Sequence, residues 1–267
     1  MTRIVNHCVA LVCLCLFWGQ SLRAADASHS EQIKWGNESV FNEEHNTLGL
    51  FSGVLGGQIV LAGGTSDDYS RWGRNAVCLS ENAGFALYED VLSKPLAYGA
   101  SITLSDGILC IGGRYSSQCY KDVFFVTMQQ GKLNVSEDWP PLPFPLSNAA
   151  GALLDNKVYL FGGRKSVSPS RLSDSFFVLD LSNKSRGWKE LPGYPGCVRE
   201  DAILVVQNNG VSPCLYLLGG QTETEEGLSS CLTDGYVYNP QLGKWSSLGS
   251  DFPKGICAAV ASGANHI

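Results

Sequence analysis

The chain has 267 residues, 44% hydrophobic and 16% charged, which is enough apolar material for a sizeable core and excludes a disordered chain. Its 25 acidic against 19 basic residues give a net charge of −6, which argues against nucleic acid or an anionic membrane surface as partner. Thirty glycines and eleven prolines suit many short strands joined by tight turns, and no long helical pattern competes.

Residues 1–27 read as a secretory signal peptide. Arg3 gives a weakly basic start, the apolar run from Cys8 to Trp18 is too short to span a bilayer, and the small residues Ala24, Ala25 and Ala27 allow cleavage after Ala24 or Ala27. An uncleaved anchor is the competing reading. Cleavage implies a periplasmic or secreted protein with no membrane attachment. Residues 28–47 form a polar, unpatterned lead-in.

From Leu48 to the end one pattern recurs: an apolar strand, a double glycine, a polar loop, an aromatic strand and often a Trp. The glycine pairs stand at 63/64, 112/113, 162/163 and 219/220, so the steps are 49, 50 and 57 residues. That is close to the roughly 50-residue kelch period. The expected fold is all-β, a kelch-type β-propeller of four-stranded blades over 48–267. Repeats fall at about 48–96, 97–146, 147–198 and 199–253, with a fifth begun at 254–267.

In the first repeat, Gln58 to Ala62 leads into the glycines, with weaker strands at Arg74 to Leu79 and Phe85 to Leu92. The second has strands at Asp122 to Val126 and Lys132 to Val135; the third at Asp174 to Asp180 and around Trp188; the fourth at Cys214 to Leu218, Asp234 to Tyr238 and around Trp245. A blade cannot bury both its faces alone, so Phe176, Val178, Trp188 and Tyr236 are assigned to the packing between blades. Four and a half blades do not close a ring, so the chain reads as a fragment of a larger propeller. A four-bladed ring closed by residues near 30–47 and 255–267 is the alternative.

Strands that alternate up and down bring the loops after each diglycine and the segments between blades to one end. Thr65, Arg114, Arg164 and Gln221 then share a face with Tyr98, Asn148 and the Arg199-Glu200-Asp201 segment. Arg114, Arg164 and Arg199 are expected to ring one mouth. Clustered guanidinium groups bind carboxylates in bidentate fashion, so a small acidic sugar is the expected ligand. The candidate binding residues are Arg114, Arg164, Arg199, Glu200, Tyr98 and Asn148. The competing reading pairs each Arg with an acid of the adjoining blade, such as Glu200 or Asp201.

Of ten cysteines, seven follow the signal: Cys78, Cys110, Cys119, Cys197, Cys214, Cys231 and Cys257. Cys110 with Cys119, or Cys214 with Cys231, flank one strand-to-strand loop and could bridge it, while small buried apolar side chains are the alternative. No metal site is expected, because His7, His29, His45 and His266 all lie outside the complete repeats and no Cys-x-x-Cys spacing occurs. Each diglycine ends a strand without opening a helix, so no phosphate loop and no cofactor are expected.

The run Pro95 to Ser101, followed by Gly107 to Gly113 and Cys119 to Phe124, resembles the cyclically permuted mutarotase family, and Leu142 to Ala152 continues the likeness. This is the branch of kelch proteins related to N-acetylneuraminate epimerase. The resemblance implies a six-bladed exported propeller, an isomerase that interconverts the anomers of a sialic acid without a cofactor. It also implies a Glu just after a blade's glycine with an Arg a few residues on as the acid-base pair. This sequence shows no such pair; the matching position in the fourth repeat is Gln221. Two functions therefore stand: a sugar mutarotase or epimerase acting on N-acetylneuraminate or a similar acidic sugar, present here as an incomplete copy with little activity expected of this chain, and a non-catalytic kelch module that meets a protein or glycan through the loops 164–174 and 221–234.

Overall fold

The computed structural model describes residues 48–80, 84–224, 227–249 and 251–259; the expected signal peptide, the whole lead-in and the last eight residues of the fifth repeat lie outside the described residues. Four antiparallel four-stranded sheets follow one another in chain order. Blade 1 is β1 (Phe51–Leu55), β2 (Gln58–Ala62), β3 (Ala76–Ser80) and β4 (Gly84–Tyr88). Blade 2 is β5 (Ala100–Thr103), β6 (Ile108–Ile111), β9 (Val123–Gln129) and β10 (Lys132–Ser136), with a small ribbon of β7 (Arg114–Tyr115) and β8 (Gln118–Cys119) between its second and third strands. Blade 3 is β11 (Ala150–Leu154), β12 (Lys157–Phe161), β15 (Phe176–Asp180) and β16 (Lys189–Glu190), with the ribbon β13 (Arg164–Ser166) and β14 (Arg171–Leu172). Blade 4 is β17 (Ile203–Asn208), β18 (Pro213–Leu218), β21 (Gly235–Asn239) and β22 (Lys244–Ser247), with the ribbon β19 (Gln221–Glu223) and β20 (Ser229–Cys231). This is a β-propeller arrangement, in which the two long loops expected to be irregular each carry a ribbon.

Strand alternation explains why the central strands read as unbroken apolar runs. Blades 2 and 3 are each packed between two neighbours, so successive residues of their central strands face opposite blades. On β6, Ile108 and Cys110 pack toward blade 1, while Leu109 and Ile111 pack toward blade 3. On β12, Val158 and Leu160 join the core shared with blade 2, and Tyr159 and Phe161 the core shared with blade 4. Phe176 is fully buried there, and Trp245 packs on Phe161 and Phe176 with ring centroids 6.0 and 5.0 Å apart. Trp188 lies against the blade 2 side, its indole N–H donating to Pro140 O at 3.0 Å.

Two of the weaker strand expectations shift. The third strand of blade 1 starts at Ala76, because Arg74 and Asn75 turn away to hold the next connection: Arg74 O accepts from Leu92 N, and Asn75 Oδ1 from Asp90 N. The outer strand ends at Tyr88, and Leu92 instead fills the core between blades 1 and 2.

The diglycines join the blades. The N–H of the second glycine donates to the segment that leads into the next blade: Gly64 to Leu96 O, Gly113 to Leu146 O, Gly163 to Arg199 O and Gly220 to Ile256 O, at 2.7–2.9 Å. The first glycine has positive φ in every case, and a Cβ on Gly112 would stand 2.2 Å from Leu146 O. Only glycine permits that approach.

The disulfide joins Cys231 to Cys257, with Cα atoms 5.6 Å apart. This corrects both expected bridges: Cys110, Cys119 and Cys214 are buried free thiols. Cys110 packs in the core between blades 1 and 2, whereas Cys231 ends the blade 4 ribbon where Ile256 N donates to Leu232 O and brings Cys257 alongside.

Candidate functional site

The two sets of residues expected at one end do meet there. Antiparallel bridges pair Leu48 with Thr65, Ala97 with Arg114, Ser147 with Arg164 and Glu200 with Gln221, so each residue after a diglycine lies beside its own repeat's entry segment. One step further on, a residue in the left-handed region precedes the inner strand of each blade, at Gly49, Tyr98, Asn148 and Asp201, and Ala258 repeats the conformation, with φ from 50 to 64°. Their main chains are linked in sequence. Tyr98 N donates to Gly49 O, Asn148 N to Tyr98 O, Asp201 N to Asn148 O and Ala258 N to Asp201 O, at 2.7–3.0 Å. These five residues and the residue after each line an opening of about 200 Å³. The start of the fifth repeat supplies the last of them.

On the side of blades 3 and 4 the lip is acidic and internally satisfied. Arg164 donates Nε to Glu200 Oε2 at 2.8 Å and Nη2 to Glu200 Oε1 at 2.5 Å and Glu223 Oε1 at 2.8 Å; Ser170 also bonds Glu223 at 2.6 Å. The Arg164 and Glu200 side chains are only 12% and 6% exposed. Hydrogen bonds from Ser170 and the Arg164 charge hold Glu223 below the usual carboxylate range. Asp201 differs. It accepts from two neutral amides, Asn148 Nδ2 at 2.9 Å and Gln221 Nε2 at 2.8 Å, one on each oxygen. Burial raises its pKa; the bonds from Asn148 and Gln221 and the more distant Arg164 charge lower it, while Glu200 adds to the rise, and the net shift is upward.

On the side of blades 1 and 2 the lip is aromatic and cationic. The Arg114 guanidinium carbon lies 4.5 Å from the Tyr98 ring centroid, 5.2 Å from Trp72 and 5.6 Å from Tyr69. Tyr98 donates its hydroxyl to that of Tyr69 at 3.3 Å, and burial, then Tyr69, raises its pKa, so its phenol is protonated throughout the neutral range.

Arg199 is not at this mouth, which corrects its expected place in the ring of arginines. It is fully buried, donating to Asp234 Oδ1 and Oδ2 at 2.6 and 2.8 Å, to Gly219 O at 2.7 Å and to Tyr194 Oη at 2.8 Å. Its main chain occupies the place of Leu96, Leu146 and Ile256 in the other repeats, a position that points into the interblade core. The structure thus brings Tyr98, Asn148, Arg114, Arg164 and Glu200 to one mouth and removes Arg199. Sequence reasoning did not select Asp201, Tyr69 or Trp72. Aligning the repeats two residues beyond Leu96, Leu146 and Ile256 would have placed Asp201 beside Tyr98 and Asn148. Among the described residues no cluster of His, Cys, Asp and Glu could hold a metal ion.

Residues 139–266 match the family model described as N-acetylneuraminate epimerase. Over 129 residues the chain is 30% identical to an N-acetylneuraminate epimerase of Yersinia pestis (strain Pestoides F), a match covering 48% of this chain and 30% of that protein. A protein of the same name from Haemophilus influenzae (strain PittEE) is 31% identical over 131 residues, covering 49% and 32%. A kelch domain-containing protein of Vibrio cholerae is 31% identical over 121 residues, covering 45% and 31%. The chain therefore spans about a third of the length of the curated relatives it matches. The solved structure of YjhT superposes with a TM-score of 0.64 at 15% identity, covering 81% of this chain and 74% of that one, a likeness of fold. The chain is accordingly a β-propeller with kelch-like repeats whose residues 139–266 are similar in sequence to N-acetylneuraminate epimerases.

Proposed function

We propose that this propeller is a mutarotase or epimerase acting at the anomeric centre of N-acetylneuraminate or a similar acidic sugar, with Asp201 as its base. The observation that carries the reading is a carboxylate on the pore lip, held by two neutral amides and raised in basicity by burial, beside an opening of about 200 Å³. A carboxylate so placed has lone pairs left for a ligand and no direct ion pair to neutralise it. Anomerisation needs little more. Asp201 takes the proton of the anomeric hydroxyl, the bond from the anomeric carbon to the ring oxygen breaks as the carbonyl forms, and the ring oxygen takes a proton from water. Reclosure on the other carbonyl face, with the protons returned, gives the other anomer.

Export to the periplasm or beyond belongs to the same reading. It is supported by the apolar run from Cys8 to Trp18 and by the Cys231–Cys257 disulfide, which suits an oxidising compartment. N-terminal sequencing of the mature protein would show cleavage after Ala24 or Ala27; an intact Met1 would refute it.

The functional test is proton exchange NMR between the anomers of N-acetylneuraminate. The protein should speed exchange over buffer, and Asp201→Asn should lose about a hundredfold of that acceleration, within the range for general acid-base groups. No acceleration by the native chain would overturn the reading. Binding of the sugar without exchange would make the propeller a glycan-binding module.

A further inference from the structure

The loop from Thr65 to Trp72 is braced from within. Thr65 Oγ1 and Ser66 N both donate to Arg71 O, Arg71 N donates to Ser66 Oγ, and Ser66 Oγ and Ser70 N both donate to Asp68 Oδ1. The brace holds Tyr69 at φ 59° with half of its surface (49%) exposed, and the Trp72 indole N–H is fixed on Tyr69 O at 3.1 Å. Tyr115, 44% exposed, stands edge-on to Trp72 with centroids 5.6 Å apart. An ordered loop that keeps aromatic side chains out of the core is built for contact.

The same rings enclose a cation with unused donors. Among the described residues the Arg114 guanidinium gives one hydrogen bond, Nη1 to Ser116 O at 2.7 Å, and pairs with no carboxylate. Arg164, at the equivalent position in the next blade, is bonded to two carboxylates. The guanidinium plane of Arg114, immobilised by Tyr98, Trp72 and Tyr69, keeps its fork for an incoming anion.

We infer that Arg114 with Trp72, Tyr69 and Tyr115 is a recognition platform for a carboxylated sugar, the guanidinium taking the carboxylate and the aromatic surface taking the ring's C–H face or its N-acyl methyl. Charge complementarity fixes the anion, and the exposed rings fix an apolar face beside it. Tyr98 belongs both to the platform and to the pore lip, so a sugar held here has its remaining atoms over the opening. The inference rests on the acidic-sugar part of the proposed function and goes beyond it in naming the residues that select the ligand.

The test is a titration of the full chain by tryptophan fluorescence and calorimetry with N-acetylneuraminate and with its methyl ester. Arg114→Gln should weaken the acid about tenfold and leave the ester within twofold, the signature of a lost charge-assisted pair. Tyr115→Ala, at an exposed position, should weaken both ligands by about threefold to fivefold through lost ring contact. Equal weakening of acid and ester by Arg114→Gln, no effect of Tyr115→Ala, or no binding of the acid to the native chain would each overturn the platform. Anomer exchange is read separately. Binding with the expected pattern but no exchange refutes the epimerase reading alone, while exchange with both variants unchanged refutes the platform alone.

Discussion

At equivalent positions of the mouth, blades 3 and 4 present groups that satisfy one another, while blades 1 and 2 present a cation held among rings. Arg164 is closed by Glu200 and Glu223, and Arg114 is open. Both follow a diglycine and both face the same opening, so the backbone does not decide which arginine is structural. Its neighbours do: Arg164 meets Glu200 and Glu223 of the following blade, whereas the residue equivalent to Glu200 beyond Arg114 is the uncharged Ser147, and Arg114 meets Tyr69 and Trp72 of the preceding blade. The lesson is that repeat position gives location, and the partners supplied by adjoining repeats give role.

Unfolding in urea would sharpen that contrast. Arg199→Ala should be the most costly change, about 4 kcal/mol, because it strands Asp234 in a partly buried site and empties an interblade position. The double variant Arg199→Leu with Asp234→Asn should recover much of the loss, since leucine fills the equivalent site in two other repeats. A single and a double variant of equal stability would mean that the ion pair is not what holds this position.

Acidification offers an independent view of the same interior. Burial pushes Asp234 up, but hydrogen bonds from Arg199 and its charge outweigh it and leave the carboxyl below its ordinary value of 3.8. Its contribution is therefore complete above about pH 4 and lost as pH falls through the lower folded value. Asp201 has the opposite sign: its folded pKa is raised, so the folded state holds the proton more tightly and stability falls as pH rises through the window above 3.8. Asp234→Asn should flatten the acid limb of a stability profile measured by thermal melting. An unchanged limb would refute the assignment.

Arg164→Ala comes next, at about 2 kcal/mol, because it leaves Glu200 buried without its cation. Arg114→Ala should cost less than about 1 kcal/mol, the worth of a partly exposed cation–π contact. In sugar binding the order reverses, with Arg114 the sensitive site. If the two arginines behave alike in both assays, the division of the mouth is wrong. Ala258→Gly is the smallest change and has the opposite sign, a gain of about 0.5–1 kcal/mol, since alanine there sits at φ 50°. Chemical denaturation of the two proteins side by side would show it.

Much of this molecule could be read without coordinates. Diglycine spacing gave the blades, because every first glycine must let a carbonyl of the next repeat approach closer than any Cβ permits, and that demand leaves a fixed mark. The shared face of Arg114, Arg164, Tyr98 and Asn148 followed from strand direction alone. Arg199 was misplaced because charge argued for the surface, whereas its register matches Leu96 and Leu146; tertiary pairing with Asp234 made burial possible. Cys231 with Cys257 went unforeseen because the partners come from different repeats, so loop spacing within one blade carried no signal. The Trp72 platform was hidden for a similar reason, since Tyr69 and Trp72 belong to blade 1 while Arg114 and Tyr115 belong to blade 2.

The pore lip is joined through amides and carbonyls of Gly49, Tyr98, Asn148, Asp201 and Ala258, and their side chains take no part in those links. The bore is thus set by main chain, like the rim of a socket whose fittings can be exchanged. A phenol, an amide, a carboxylate and a methyl already occupy successive fittings of this one socket. Reactivity at this opening is therefore a matter of which side chains those positions carry, within the set a left-handed backbone accepts and the Asn148–Asp201 bond ties together.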